Sequence, residues 1–148
     1  MKEIKLKQLV YVSNHAIHFS DDDLSQLMKK ARTKNKRLNI TGLLLSDNQH
    51  FLQVIEGPEI SINELISDIL ADERHNKIDI IFNNENIFER EFSRWSMGYK
   101  ILGKGLPDDY KALDNRLKDI LSVAKPNGDL AHQLLIEFRN LKKSFLDI

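Results

Sequence analysis

The sequence contains no cysteine, which excludes disulfide bonds, thiolate metal ligands and cysteine nucleophiles. It also has no net charge, because 22 Lys and Arg residues balance 22 Asp and Glu residues. Proteins that bind nucleic acids or anionic membranes through charge usually have a basic excess, so neither partner is expected. No apolar run approaches the length of about 18 residues that spans a bilayer, and the amino terminus has no apolar targeting segment. We therefore expect a cytoplasmic protein.

Proline and glycine are scarce, with three and six residues in a chain of 148. Charged residues make up 30% of the chain and are spread along it, so no segment is typical of disorder. The length suits one domain with a short appendage. The sequence also lacks a P-loop, a GxGxxG motif and a serine-triad signature. His15 and His18 could hold a metal together, but no carboxylate or further histidine stands at ligand spacing from them. No metal site is expected.

Strand and helix patterns alternate along the first two thirds of the chain. Short apolar runs rich in β-forming residues, each bounded by turn residues, predict strands. Two capping boxes, Ser20 with Asp23 and Ser61 with Glu64, precede apolar residues at helical spacing and predict helices. The predicted elements are a strand at 6–13, a helix from Ser20 to about Lys34, strands at 40–46 and 51–57, a helix from Ser61 through Leu70, and strands at 77–83 and 94–102.

This order is the ferredoxin-like βαββαββ pattern, an α+β fold with two helices on one face of the sheet. The remaining residues carry two helical apolar stripes separated by a turn at 126–128. The stripes are Leu113, Leu117, Ile120 and Ala124, then Leu130, Leu134, Phe138, Leu141 and Phe145. Because two short helices cannot bury such stripes alone, we expect a helical hairpin on the other face of the sheet. The predicted units are 1–103 and 104–148.

Two polar side chains stand in strands that are otherwise apolar. Tyr11 shares its strand face with Leu9, and Gln53 interrupts the run 51–55. A buried amide needs partners for two donor hydrogens and one acceptor oxygen. Chemistry alone leaves two interpretations open: an ordinary core pair, which is the more usual case, or part of a functional site.

Five segments recur in a recognisable order and spacing: Leu9–Ser13, Asn35–Gly42, Phe51–Gly57, Asp72–His75 and Trp95–Met97. Together they resemble the BLUF domain, a blue-light sensor that uses flavin. The resemblance covers residues 5–102, and the two trailing helices resemble those of short, stand-alone BLUF proteins. One departure is Lys34, where members of the family often carry a small polar or imidazole side chain.

The resemblance implies a noncovalent flavin, FAD with FMN or riboflavin as alternatives, between the two helices on the sheet. Asn35 would hydrogen-bond the polar edge of the ring, because an amide both donates and accepts. Asp72, Arg74 and His75 would meet the ribityl and phosphate tail, with a solvated helix end as the alternative interpretation. Apolar walls would come from Leu27, Ala31, Ile66 and Ile69.

The resemblance also implies a photochemical role for Tyr11 and Gln53. The excited flavin would take an electron from Tyr11, a proton would follow through Gln53, and the amide would rewire its hydrogen bonds to the flavin. Trp95 and Met97, two residues apart on one predicted strand face, are both candidates to contact Gln53 and carry the signal. The alternative is that both are core residues.

The implied function is that of a photoreceptor rather than an enzyme. Its output would be an altered interaction with a downstream signalling protein, or self-association into a homo-oligomer. Two other functions stay open from the residues: a flavin-dependent redox enzyme, and a flavin-free ferredoxin-like interaction module in which Tyr11 and Gln53 are only core.

Overall fold

The chain forms five strands and four helices within the residues that the structure, a computed structural model, describes. These are residues 5–15, 20–46, 49–73, 75–93, 96–101, 111–123 and 125–140. The elements are β1 (Leu6–His15), α1 (Asp21–Leu38), β2 (Thr41–Ser46), β3 (His50–Pro58), α2 (Glu59–Ala71), β4 (His75–Ile87), β5 (Gly98–Ile101), α3 (Lys111–Leu121) and α4 (Gly128–Arg139).

The strands form one sheet in the order β4-β1-β3-β2-β5. All neighbouring pairs are antiparallel except β2 and β5, which are parallel. Along the β1–β3 ladder Tyr11 lies opposite Gln53, and Gln8 lies opposite Glu56. Because successive side chains alternate between the two faces, these two polar pairs lie on opposite faces of the sheet. The topology confirms the predicted ferredoxin-like α+β fold.

Each face of the sheet has its own hydrophobic cluster. The α1–α2 face buries Leu9, Leu24, Met28, Leu38, Ile40, Leu44, Phe51, Ile55, Ile62, Leu65 and Met97. The opposite face joins Val10, Leu43, Leu45, Leu52, Val54 and Phe92 to Leu117 and Leu121 of α3 and to Ala131, Leu134, Leu135 and Phe138 of α4. The carboxy-terminal helices therefore cover the second face, as predicted. The division into 1–103 and 104–148 stays a prediction.

The two helices on the first face differ from their predicted bounds. The capping box of Ser20 and Asp23 is present, but α1 continues to Leu38, beyond the predicted end. It stops at Asn39, whose left-handed backbone (φ 58°) directs its N–H to the last helical carbonyls. By contrast, α2 begins at Glu59 directly after Pro58 and has no side-chain cap.

The predicted capping box of Ser61 and Glu64 is therefore wrong. The physical reason is that β3 runs straight into α2. The backbone N–H of Glu59 donates to the carbonyl oxygen of Lys5 at 3.0 Å, so a neighbouring chain segment satisfies part of the first turn.

Three other predicted features also change. The fifth strand begins at Gly98, so Met97 lies just before it, while β4 extends to Ile87. Leu130 was placed in the buried stripe of α4 but is 52% exposed, because Ala131 occupies the buried position at that turn. Ala124, Leu141 and Phe145 lie outside the described residues.

Within the described part of the chain, no helix has the combined length and apolar character needed to cross a membrane.

Candidate functional site

A cavity of about 170 Å³ lies between α1, α2 and the sheet. Its floor comes from strands, and its two walls come from the helices. The lining residues are Tyr11, Leu44, Phe51 and Gln53 on the sheet; Leu27, Met28, Lys30, Ala31, Lys34 and Asn35 on α1; and Leu65, Asp68, Ile69 and Asp72 at α2. Apolar side chains predominate toward the sheet, and the charged ones come from the two helices.

A chain of hydrogen bonds runs from Tyr11 through Gln53 to Met97. The phenol Oη of Tyr11 donates to Oε1 of Gln53, its partner across the β1–β3 ladder. Nε2 of Gln53 then donates to Sδ of Met97 over 3.2 Å. Tyr11, Gln53 and Met97 are 1%, 8% and 0% exposed. The sequence-predicted pair is therefore in contact, and Met97 points inward to the amide.

The environment of Tyr11 favours the neutral phenol. Burial raises the pKa of Tyr11 above the ordinary value of a phenol, and the negative charge of Asp72 raises it further. The proton therefore stays on Oη near neutral pH, and Oη donates it in a hydrogen bond to the Gln53 amide oxygen.

Asn35 enters the cavity from the last turns of α1. It is 2% exposed, and its Nδ2 donates to the carbonyl oxygen of Ser96 over 2.7 Å. One amide therefore lines the cavity and fixes the chain segment that precedes β5. Its position depends on α1 continuing past Lys34, which the predicted helix end left out.

The remaining predicted site residues fall into three groups: some line the cavity, one packs beside it, and the others lie outside the described residues. Leu27, Ala31 and Ile69 line the cavity, and Asp72 lies at its edge after α2. Ile66 packs against the neighbouring hydrophobic cluster instead. Trp95 and Arg74 lie outside the described residues, as does the side chain of His75, the first residue of β4.

Seven further lining residues were not singled out from the sequence as site residues. Met28, Leu44, Phe51 and Leu65 are apolar residues within predicted strands and helices, and an apolar pattern gives no sign of a cavity. The others are the charged residues Lys30, Lys34 and Asp68.

Lys34 and Asp68 form an ion pair that joins α1 to α2 at the cavity. No local pattern signals this pair, because its members are 34 positions apart.

The lining suits a flavin. Apolar side chains on two helices provide walls for a planar aromatic ring. The amides of Asn35 and Gln53 provide donors and acceptors of the kind that match the carbonyl and N–H groups along one edge of such a ring. The lining also carries two lysines and two aspartates. Because Lys34 is paired with Asp68, Lys30 is the lysine outside that pair that suits a phosphate-bearing tail.

Comparison with known proteins also indicates a BLUF domain. The BLUF family model, described as sensors of blue-light using FAD, matches residues 6–98. Photoactivated adenylate cyclase subunit beta of Euglena longa is 29% identical over 138 residues, which are 93% of this chain and 14% of that protein. The blue light- and temperature-regulated antirepressor BluF of Escherichia coli (strain K12) is 32% identical over 77 residues, which are 49% of this chain and 18% of that protein. The chain thus spans less than a fifth of either relative.

A solved structure of similar size shares the fold. The dark-state structure of BlrB, a BLUF protein, superposes with a TM-score of 0.74 and is 31% identical. The match covers 90% of this chain and 97% of BlrB. With the family model matching well over half of its residues, the chain belongs to the BLUF family of flavin-based blue-light sensors.

Proposed function

We propose that this chain senses blue light through a flavin held between α1 and α2, and that Gln53 is the element that switches. The observation that carries the proposal is the hydrogen-bond chain Tyr11–Gln53–Met97 at the floor of the cavity. Two of its members lie in the cavity lining, and the third lies behind them in the core.

Binding is assigned to the residues around the cavity. Leu27, Ala31 and Ile69 enclose the ring, and Asn35 hydrogen-bonds its polar edge. Asp72 lines the cavity just after α2, and the participation of Asp72, Arg74 and His75 in holding the tail stays a prediction. FAD is the expected cofactor, with FMN or riboflavin as alternatives.

When bound, the flavin supplies the absorption of blue light and the acceptor for one electron. Tyr11 holds its proton in the dark, because burial disfavours the phenolate. A phenol that loses an electron becomes strongly acidic, and its proton then has an acceptor already in place at Oε1 of Gln53. The amide would gain no charge only if Nε2 released a proton toward the bound flavin as Oε1 accepted one. Rotation or tautomerisation would then exchange its donor and acceptor ends.

The exchange also alters the contact with Met97. Nε2 of Gln53 donates to Met97 Sδ in the structure, and a thioether accepts only weakly. Reorientation of the amide therefore breaks this contact at low cost. Because Met97 adjoins β5, the change reaches the edge of the sheet. Return of the electron and proton to Tyr11 would leave the amide in its altered arrangement, which persists in the dark and then decays with no net chemistry on any substrate.

The output is assigned to a partner protein or to self-association, rather than to enzymatic activity of this chain. The relatives named above include a cyclase subunit and an antirepressor, so similar domains are found in proteins with different outputs. The route to that output is assigned to β5, which follows Met97, and to the hairpin of α3 and α4 on the opposite face of the sheet. The cytoplasmic location stays a prediction.

The absorption spectrum of the purified protein tests the proposal. We expect yellow protein whose blue band shifts reversibly to the red under blue light. A colourless preparation that flavin cannot reconstitute would contradict the proposal and favour an interaction module. Bleaching with turnover on addition of NADH would instead favour a redox enzyme.

A further inference from the structure

Two side chains of α1 hold the segment that precedes β5. Arg32 Nε donates to the carbonyl oxygen of Met97 over 2.8 Å, and Asn35 Nδ2 donates to that of Ser96 over 2.7 Å. The guanidinium carbon of Arg32 also lies 5.5 Å from the centre of the Tyr99 ring. Arg32 therefore contacts residues on both sides of Gly98, where β5 begins.

The segment needs such support because the β-ladder does not hold Met97. Pairing between β2 and β5 begins with Leu43 opposite Gly98, one residue later. The bond from Arg32 is charge-assisted and partly buried, which makes it stronger than a typical surface hydrogen bond. A planar guanidinium over an aromatic ring adds a second attachment point.

Arg32 is not part of the cavity lining, but its bond to the Met97 carbonyl connects it to the site. The Met97 side chain is fully buried and accepts from the Gln53 amide. Met97 has three rotatable side-chain bonds, and its sulfur fixes the amide only while its backbone stays in place.

We propose that Arg32 is a positioning residue for the switch: it holds the backbone of Met97 so that Sδ stays beside Gln53 in the dark. This inference rests on the proposed function and extends it to a residue that is not part of the cavity lining. Of the two described bonds from α1, removing Arg32 leaves only the Asn35 bond to Ser96. The change loosens the backbone at Met97, weakens the dark arrangement of the Gln53 amide and slows the return to it.

The test compares Arg32→Ala with Arg37→Ala. Arg37 lies on the same helix, its side chain is 63% exposed, and among the described residues its recorded ion pair is a long one, 3.9 Å to Glu64. The two variants therefore remove the same chemical group, but only one of them loses the bond to Met97.

The first measurement is the NMR spectrum of protein labelled with ¹³C on the methionine methyl groups, recorded in the dark. The chain has three methionines, Met1, Met28 and Met97, and a Met97→Leu variant identifies the signal of interest. In Arg32→Ala we expect the Met97 signal to shift or broaden, while the Met28 signal stays in place. In Arg37→Ala all three signals should match those of the wild type.

The second measurement is the rate of dark recovery after blue light. We expect Arg32→Ala to recover about three- to tenfold more slowly than wild type, because part of the lost stabilisation of the dark state appears in the barrier to its return. Flavin content and the thermal midpoint serve as folding controls. Arg32→Lys keeps the charge but loses the planar donor, so its recovery rate should fall between those of wild type and Arg32→Ala.

The outcomes separate this inference from the proposed function. If the wild type shows no red shift, the proposed function fails, and this inference fails with it. If the wild type shifts normally but Arg32→Ala keeps the wild-type Met97 signal or the wild-type recovery rate, only this inference is overturned. Should Arg32→Ala fail to fold, Arg32→Lys decides by the same two criteria.

Discussion

Tyr11 shows how one buried hydroxyl is prepared for a task that it performs only in the light. Its Oη donates a hydrogen bond to Oε1 of Gln53, and its ring is almost fully buried. Burial and the charge of Asp72 together raise the pKa, so the phenolate is disfavoured in the dark. A tyrosine in this environment releases its proton only after it has lost an electron.

The raised pKa of Tyr11 has a consequence for stability at high pH. In the unfolded chain a tyrosine ionises near pH 10, whereas the folded protein keeps Tyr11 protonated there. The unfolded state thus loses a proton that the folded state retains, and stability falls as the pH rises above about 10.

Ultraviolet absorbance of the phenolate measures this effect. Of the three tyrosines, one should titrate only together with unfolding, and Tyr11→Phe should remove that late step. Reversible ionisation of all three tyrosines near pH 10 in the folded protein would contradict the assigned environment of Tyr11.

For individual site residues, the sequence was informative only where a residue departed from the apolar pattern around it. Tyr11 and Gln53 stand out as polar groups in apolar strands, and the structure brings them together. The choice between Trp95 and Met97 was open, because one continuous strand was predicted over both. Arg32 gave no signal at all, since its acceptor lies 65 positions further along the chain.

Helix α1 is the element that builds most of one cavity wall and also fixes β5. Its last turns carry Asn35, whose amide lines the cavity and bonds the Ser96 carbonyl. These turns form because basic residues near the helix end complement its dipole and Asn39 accepts the left-handed terminal conformation.

We expect Asn35→Ala to weaken flavin retention, because the variant loses a polar partner of the ring and loosens residue 96. The loss of one buried hydrogen-bonding group predicts about tenfold faster flavin release. Retention during dialysis measures the effect. Thr33→Ala is a matched control, because the Thr33 hydroxyl bonds only the carbonyl of Lys29 within the helix, as far as the described contacts of that residue go. Equal retention in both variants would remove Asn35 from the binding role.

On the opposite face of the sheet, a polar cluster joins β1, β3 and α4. Nε2 of Gln8 donates to Glu56 over 3.1 Å and to Glu91 over 3.0 Å. His132 of α4 lies 2.8 Å from the same Glu91 oxygen and stacks on Phe82. The cluster attaches α4 to the sheet through hydrogen bonds as well as apolar packing.

The pKa values in this cluster shift in opposite directions. Burial raises the pKa of Glu56, against the hydrogen bonds that it accepts. Burial alone would also raise the pKa of Glu91, but bonds from Gln8 and His132 and the charges of His132 and Arg139 lower it overall. The stabilisation from Glu91 is therefore present above the ordinary glutamate pKa of about 4.3 and is lost as the pH falls through the lowered value.

His132→Phe tests the Glu91 contribution while keeping a ring against Phe82. Without the imidazole, the pKa of Glu91 should return toward its ordinary value. The contribution is then lost at a higher pH, so acid unfolding should begin at a higher pH than in the wild type. Circular dichroism against pH measures the midpoint, and an unchanged midpoint would show that His132 does not support Glu91.

Element types were predictable from apolar periodicity, whereas element ends depended on tertiary contacts. The start of α2 moved to Glu59, because Pro58 ends β3 and the Lys5 carbonyl receives the first helical N–H. In α4, Gly128 lies so close to β4 that an added Cβ would meet the Ile81 carbonyl oxygen at 1.8 Å. Neither contact has a local sequence signal.

The two faces of the central sheet have different roles in the molecule: one carries the proposed switch, and the other attaches α4. The Tyr11–Gln53 pair faces α1 and α2, while the Gln8–Glu56 pair faces α4 from the same two strands. Any displacement of β1 against β3 therefore reaches both pairs. The prediction that a helical hairpin covers the second face followed from amphipathic stripes, but the polar cluster beneath that hairpin did not.

The central claim is that the hydrogen bonds of Gln53 are the light-driven switch, and the light-minus-dark absorption difference tests it most directly. Wild type and the exposed control Gln133→Leu should show a reversible red shift. Tyr11→Phe and Gln53→Leu should retain flavin and show none. A normal, reversible red shift in flavin-loaded Gln53→Leu would contradict the account.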